Sequence, residues 1–226
     1  MIFFKRLVSE TEKERQELLA APIIGRVFSG DISPDDYIGF LAQAFHHVKH
    51  TVPLLMAVGS RLPASKEWMR EAVAEYIEEE IGHQEWVLND IAACGYDKEY
   101  VRSNRPHAST ELMVSYAYDT VMRGNPMGFF GMVHVLEGTS ISLADKVAGA
   151  VKETLGLPAN AFSYLISHGS LDQGHVEFFE KLMNKIDDAD DQAAIIHACK
   201  MFYRLYGDVF RTLSADHNIP RLNAKA

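Results

Sequence analysis

The chain has 226 residues, of which 47% are hydrophobic and 23% charged, and its formal net charge is −9 at pH 7. This composition is ordinary for a globular protein that buries a sizeable core. The acidic balance without any cluster of Lys and Arg argues against nucleic acid as a partner, and no apolar stretch reaches the ~20 residues that a membrane span needs.

In the first half of the chain, helix start and stop signals delimit three helices. Ser9–Glu12 has the pattern of a capping box, and Pro22 interrupts the helix that follows it. Ser33–Asp36 places an N-cap, a proline and two acidic residues at a second start, and Pro53 ends or kinks that helix. A third helix is expected over about residues 65–94.

In the second half, the same signals delimit four more helices. Ser109 opens the fourth, and Pro126 begins a fifth that reaches about residue 155. The sixth contains residues 168–175, and the seventh runs from Asp188 to about residue 213. Because no segment alternates like a strand with hairpin turns, we expect an all-α, single-domain bundle of about seven helices over residues 1–226. Cofactor sites in such bundles lie between facing helices.

The most informative segment is His168-Gly-Ser-Leu-Asp172-Gln-Gly-His175 on the sixth helix. Residues at positions i, i+4 and i+7 of an α-helix lie on one narrow stripe. His168, Asp172 and His175 therefore place two imidazoles and a carboxylate side by side. A surface helix with scattered polar residues is the ordinary alternative, but aromatic and leucine residues flank the stripe and argue for a packed helix.

Two further helices carry metal-competent groups. Glu80 and His83 are spaced i, i+3 on the predicted third helix, as in di-iron carboxylate bundles, although Glu79 is also one turn from His83. A run of glutamates is usually a solvated helix face, so this pair alone is a weak signal. Glu137 lies in an apolar segment, where a carboxylate needs a neutralising partner. A metal ion or His134, one turn earlier, could serve as that partner.

The ligand types select the metal. Imidazoles and carboxylates without a thiolate suit iron or manganese better than structural zinc. The other histidines are ambiguous: of His46, His47 and His50, only one or two can face the core. The two cysteines do not form a disulfide framework. The N-terminal segment also lacks the apolar core of a signal peptide. We therefore expect a cytoplasmic protein.

At these residues the chain resembles the heme-oxygenase-like di-iron oxidases and oxygenases. This superfamily shares its helical fold with heme oxygenase, TenA-type thiaminase and the pyrroloquinoline-quinone synthase. The family motifs E-x-x-H, E-G-x and H-x-x-x-D-x-x-H match, in this order, Glu80 with His83, Glu137 with Gly138, and His168 with Asp172 and His175. Two features depart from the family pattern. One branch of the family, which makes terminal alkenes from fatty acids, has an additional glutamate on the preceding helix, and that position falls near Lys49 or His50 here. Another branch has a glutamate seven residues before the histidine that matches His83, and this chain has Tyr76 there.

The resemblance implies a heme-oxygenase-like fold and a non-haem enzyme that oxidises a small organic substrate, such as an amino-acid or fatty-acid derivative. It implies two Fe(II) ions as cofactor and O2 as co-substrate. The implied metal ligands are Glu80, His83, Glu137, His168, Asp172 and His175, with catalytic roles for Glu137 and Asp172. A metal-free TenA-like hydrolase, a quinone-synthase-like oxidase and a non-enzymatic interaction protein are the alternatives. The sequence leaves a monomer and a homodimer both open.

Overall fold

The computed structural model describes residues 2–213 and 219–222, and of residues 168–175 it describes the backbone alone. Within these residues the chain forms eleven α-helices and no β-strand, which confirms the prediction of an all-α fold, although there are more helices than the seven or so expected because several predicted helices are divided. No helix in this described part is long and apolar enough to cross a membrane. The helices are α1 (Phe3–Leu19), α2 (Pro22–Ser29), α3 (Pro34–Val48), α4 (Thr51–Arg61), α5 (Glu67–Glu80), α6 (His83–Ala93), α7 (Lys98–Ser103), α8 (Ala108–Met122), α9 (Phe129–Leu155), α10 (Ser163–Met183) and α11 (Ala189–Arg211).

Several helix starts follow the predicted local chemistry. The Ser33 hydroxyl accepts a hydrogen bond from the Asp36 amide, and the Asp36 carboxylate accepts one from the Ser33 amide at 2.8 Å, which completes a capping box. The Asp188 carboxylate accepts hydrogen bonds from the amides of the first turn of α11. These caps satisfy amide groups that have no partner within the helix.

Two predicted boundaries are wrong. Ser9 does not begin a helix but lies inside α1, which starts at Phe3 because Phe3 and Leu7 are both buried in the core. The predicted third helix is broken at Gly82, whose φ of 97° is left-handed and interrupts the helical path between α5 and α6. Glu80 is therefore the last residue of α5 and His83 the first of α6, rather than two residues on one continuous helix.

Helix α9 lies at the centre of the packing, because α10 and α11 both pack along it. Helix α11 also packs against α1 and α8, while α6 packs against α3 and α10. Helix α9 approaches α11 closely at Gly131, where a side-chain methyl group would lie 2.6 Å from the backbone nitrogen of Cys199. Of the helices that carry the predicted ligands, α10 packs against both α6 and α9.

Candidate functional site

A cavity of about 160 Å³ is bounded in part by α5, α9 and α10, which carry candidate ligands, whereas its described lining includes no residue of α6, the helix that begins with His83. Apolar side chains from α2, α3, α9, α10 and α11 form most of its wall. The polar and tyrosine side chains in the described lining are Asp36, Tyr37, His47, Thr51, Tyr76, Glu80, Glu137, Thr139, Ser140, Tyr164 and Tyr206. An apolar cavity with a few polar groups is the usual form of a small-molecule site.

Glu80 and His83 remain close to each other although the helix breaks between them. The Oε2 atom of Glu80 lies 3.1 Å from the Nδ1 atom of His83. The His83 ring is buried and tilted against the ring of Trp86, with a distance of 4.1 Å between the ring centroids. Glu80 lines the cavity, whereas Glu79 is exposed and absent from the described lining. The geometry therefore favours Glu80 as the carboxylate that faces the cavity.

Glu137 reaches the same cavity from α9, and Tyr76 lies near both carboxylates. Tyr76 precedes Glu80 by one helical turn on α5 and is 3% exposed. Burial raises the pKa of Tyr76, and the negative charges of Glu137, Glu79 and Glu80 raise it further. Tyr76, Glu80 and Glu137 therefore form the acidic end of the cavity.

His134, one turn before Glu137 on α9, packs among aromatic rings. Its ring stacks on Phe179, with 5.8 Å between the ring centroids, and packs edge-on against Phe4 and Tyr203. Burial, with a smaller contribution from Arg15, lowers the pKa of His134 to about 4. His134 is thus a neutral member of an aromatic cluster at neutral pH.

Of the three histidines near the end of α3, only His47 lies in the described cavity lining. Its ring packs edge-on against Tyr206, with 5.8 Å between the ring centroids. The Nδ1 atom of His50 lies 3.1 Å from the hydroxyl of Tyr118 on α8, and the Nδ1 atom of His46 lies 3.2 Å from Nζ of Lys49. The position of the additional family glutamate thus corresponds to residues whose side chains have other partners in this protein.

The side chains of His168, Asp172 and His175 lie outside the described residues, but both flanks of their segment face the interior. Before the segment, Tyr164 and Leu165 line the cavity. After it, the ring of Phe178 contacts Tyr76, with 5.7 Å between the ring centroids, and Phe179 stacks on His134.

The stacking of His134 on Phe179 gives the register between α9 and α10. The two helices are joined by a short connection and pack side by side, so they run antiparallel. Because His134 lies level with Phe179, Glu137, three residues further along α9, is level with Val176, the residue after His175. The backbone of α10 just before Val176 therefore runs beside the part of α9 that carries Glu137.

A buried carboxylate fixes the start of α10. Asp90 of α6 is 0% exposed and accepts hydrogen bonds from the amides of Ser163 and Tyr164, at 3.1 and 2.9 Å, and from the Ser163 hydroxyl. Burial raises the pKa of Asp90, while these hydrogen bonds act in the opposite direction. Asp90 therefore joins the helix that begins with His83 to the helix that carries the His168 segment.

The sequence interpretation did not select Tyr76, His47 or Asp90 as site residues. Tyr76 had a usable signal, because it is four residues before Glu80 and hence on the same face of α5. His47 and Asp90 had none, because their roles depend on which helices pack against them.

The donor chemistry of the described cavity fits a cation. Its lining contains three carboxylates and, among the described residues, no Lys or Arg. Asp36 is paired with Arg26, whose Nη2 atom lies 2.9 Å from the Asp36 carboxylate, which leaves Glu80 and Glu137 as the carboxylates of the acidic end. Carboxylates next to apolar surface need a positive charge nearby. Among the described side chains, no three His, Cys, Asp or Glu residues converge as a metal site.

Neither cysteine has the properties of a nucleophile. Burial raises the pKa of Cys94 and of Cys199 to about 12, so both thiols are protonated at neutral pH. Neither residue belongs to the described cavity lining.

Comparisons with known proteins agree with this architecture. A family model described as an iron-containing redox enzyme matches residues 38–207, whereas no curated protein sequence matches the chain. A heme-oxygenase-like domain of unknown function from Shewanella denitrificans superposes with a TM-score of 0.83 at 23% identity, over 93% of this chain and 91% of that one.

Two enzyme-related structures share the fold at lower identity. A TenA homologue from Pseudomonas syringae pv. tomato has a TM-score of 0.78 at 13% identity, over 93% of this chain and 92% of its own. Heme oxygenase-1 from the cyanobacterium Synechocystis, in complex with heme, has a TM-score of 0.77 at 8% identity, over 95% of this chain and 93% of its own. The heme-oxygenase-like fold expected from the sequence motifs is confirmed.

Proposed function

The chain belongs to the family of iron-containing redox enzymes, and from this premise we propose that it is a non-haem iron oxidase or oxygenase that uses O2 to oxidise a small organic substrate. The observation that carries the proposal is the acidic end of the cavity, where Glu80 and Glu137 face one apolar space from α5 and α9. Carboxylates and imidazoles together are the ligand types that non-haem iron sites use.

We assign the metal ligands to Glu80, His83, Glu137, His168, Asp172 and His175. The first three come from α5, α6 and α9, and the others belong to the α10 segment that runs level with Glu137. Six such donors are enough for two Fe(II) ions. When bound, the iron supplies the activation of O2, which side chains cannot carry out.

The residues of the chain bind the metal and keep water out of the site. The contact between Glu80 and His83 at 3.1 Å restrains both side chains at the chain turn around Gly82. Tyr76 stays protonated because burial and the neighbouring carboxylates raise its pKa, so it can donate a hydrogen bond but cannot supply a negative charge to the metal. The apolar wall excludes water and so protects a reactive site from side reactions.

A metal-free hydrolase that uses a cysteine nucleophile is less compatible with this cavity. Such an enzyme needs a thiolate that faces the substrate. Both cysteines have raised pKa values, and neither belongs to the described lining.

The experiment that tests the proposal is anaerobic loading with Fe(II), followed by iron quantitation and O2 uptake, for wild type and the variants Glu137→Gln and Asp172→Ala. Both variants should lose iron and iron-dependent O2 uptake while circular dichroism shows unchanged helix content. By order of magnitude we expect at least the 10–100-fold loss of metal affinity that follows removal of groups around a metal.

The matched control is Glu153→Gln, which removes an exposed carboxylate from the same helix, α9. It should bind as much iron as wild type. Wild-type protein that takes up no iron would refute the proposed function. Equal iron content in wild type and both site variants would refute the assigned ligands.

A further inference from the structure

Helix α2 is a wall of the cavity that is one helix thick. Ile23, Ile24 and Val27 on its inner side belong to the cavity lining, whereas Gly25 and Phe28 on its outer side are exposed to solvent. Of the helices that contribute to the described lining, α2 is the shortest, with eight residues. A movement of α2 alone would therefore open the cavity to solvent.

The chain leaves the helical path at both ends of α2. Ala21, between α1 and α2, has a φ of −59° and a ψ of 132°, so α1 ends before Pro22 begins the next helix. Gly30 follows α2 with a left-handed φ of 73°. The hinges of moving elements are a few such residues at the ends of an element, which absorb the change in φ and ψ. With a break on each side, α2 can turn as a unit without unfolding.

Apolar packing favours the closed position of α2. The helix packs against α9 and α11, and Ile23 and Ile24 are only 7% and 9% exposed. At the other end, a methyl group on Gly30 would lie 3.7 Å from Oγ1 of Thr154, near the end of α9. An outward turn would expose aliphatic side chains to water, which is unfavourable in proportion to their area. An open form is thus a minor population.

An ion pair fastens α2 to the start of α3. The guanidinium of Arg26 contacts both carboxylate oxygens of Asp36, with Nη1 3.2 Å from Oδ1 and Nη2 2.9 Å from Oδ2. Asp36 is itself held in place, because its carboxylate also accepts hydrogen bonds from the amide and the hydroxyl of Ser33. A two-point contact between a guanidinium and a carboxylate requires a defined geometry. An outward turn of α2 would therefore break this contact.

We propose that α2 is a lid over the cavity, which turns outward about Ala21 and Gly30 to admit small molecules and which the ion pair between Arg26 and Asp36 holds shut. Arg26 is a positioning residue, since it acts on the lid and not on a bound molecule. The inference goes beyond the proposed function, because it concerns the route into the cavity and does not depend on which residues bind the metal.

Thiol labelling measures how often the lid opens. Ala144→Cys places a thiol inside the cavity, because Ala144 belongs to the lining and is 3% exposed. Iodoacetamide alkylates a cysteine only while solvent reaches it, and peptide mass spectrometry gives the rate at each cysteine separately. Cys199 is the internal control, since it is 0% exposed and lies outside the described lining. Its labelling rate reports a general loss of structure.

In the Ala144→Cys protein, Arg26→Gln should raise the labelling rate at position 144 about fivefold, the value of an ion pair at a partly exposed site, and leave the rate at Cys199 unchanged. Arg26→Lys keeps the charge but loses the two-point contact, so its rate should lie in between, and it decides where Arg26→Gln does not fold. The matched control is Arg102→Gln, which removes another two-point contact, to Glu85, outside the described lining. It should change neither rate.

Gly25→Ala distinguishes a turning lid from local unfolding of α2. Gly25 is exposed, and a methyl group there would meet no atom within 4 Å, so the alanine only strengthens the helix. A lid that turns as a unit keeps its labelling rate at position 144 in Gly25→Ala, and a slower rate would overturn the inference. The same conclusion follows if both Arg26 variants leave the rate at position 144 unchanged, or if the rate at Cys199 rises in parallel.

Discussion

The close approach of α9 to α11 at Gly131 gives a prediction whose size follows from the structure. A methyl group at this position would lie 2.6 Å from the backbone nitrogen of Cys199 and 2.7 Å from the backbone oxygen of Ile195. Both atoms belong to the backbone of α11, so neither can rotate away, and the two helices would have to separate. Overpacking of this kind costs about 1–3 kcal/mol.

The helix propensity of alanine offsets part of this cost. Replacing glycine inside a helix by alanine contributes about 0.8–1 kcal/mol in favour of folding. We therefore expect Gly131→Ala to lower the free energy of unfolding by up to about 2 kcal/mol. Gly149→Ala is the matched control on the same helix, because a methyl group there would meet no atom within 4 Å. It should raise the free energy of unfolding by about 0.5–1 kcal/mol.

Urea unfolding followed by circular dichroism measures both effects. With a slope of about 1–3 kcal/mol per molar urea, the midpoints of the two variants should differ by about 1 M. In a thermal scan each kcal/mol should shift the Tm by about 2–4 °C for a protein of this size. If Gly131→Ala is stabilised as much as Gly149→Ala, the close packing of α9 on α11 is refuted.

Two further predictions concern buried ionisable groups. Asp90→Ala should lower the free energy of unfolding by about 2 kcal/mol and weaken iron binding, because the amides of Ser163 and Tyr164 lose their buried acceptor. Asp97→Ala, which removes the N-cap of α7, should leave iron binding unchanged, and equal iron affinity in both variants would contradict a positioning role. The pKa of His134 in the folded protein is about 4, below its ordinary value of 6.5. As the pH drops, the unfolded chain therefore binds a proton at His134 before the folded protein does. The free energy of unfolding should fall as the pH drops from about 6.5 to about 4. His134→Phe should reduce this loss by up to ~3 kcal/mol in urea titrations at pH 7 and pH 4, whereas parallel curves for variant and wild type would show that His134 is not the group that titrates.

The boundaries that the sequence predicts correctly are those set by contacts within a few residues. Ser33 and Asp36 cap each other across three residues, and Asp188 caps α11 in the same local way. The fold class also follows from local patterns, since helical spacing and the lack of alternation suffice for it. These interactions need no knowledge of which helices become neighbours.

The errors occur where tertiary packing competes with local signals. The capping pattern at Ser9 is not used, because starting the helix at Phe3 buries the rings and methyl groups of Phe3 and Leu7. A single glycine is tolerated in many helices, so nothing in Glu80-Ile-Gly-His83 shows that Gly82 adopts a φ of 97°. In the sequence, Tyr76 stands out only because the family pattern has a glutamate there, and nothing in the sequence shows that its hydroxyl is buried in a cavity.

The site depends on contacts that are remote from its ligands. Spacing along one helix relates His168, Asp172 and His175 to each other, but it says nothing about their distance from Glu137. That distance depends on α9, which Gly131 holds against α11, and on α10, whose start is bound by Asp90 of α6. With these two helices in place, the His134–Phe179 contact sets the register that brings Glu137 level with Val176. A motif match therefore names the candidate ligands. Gly131 and Asp90, which belong to no motif, help to bring together the helices that carry those ligands.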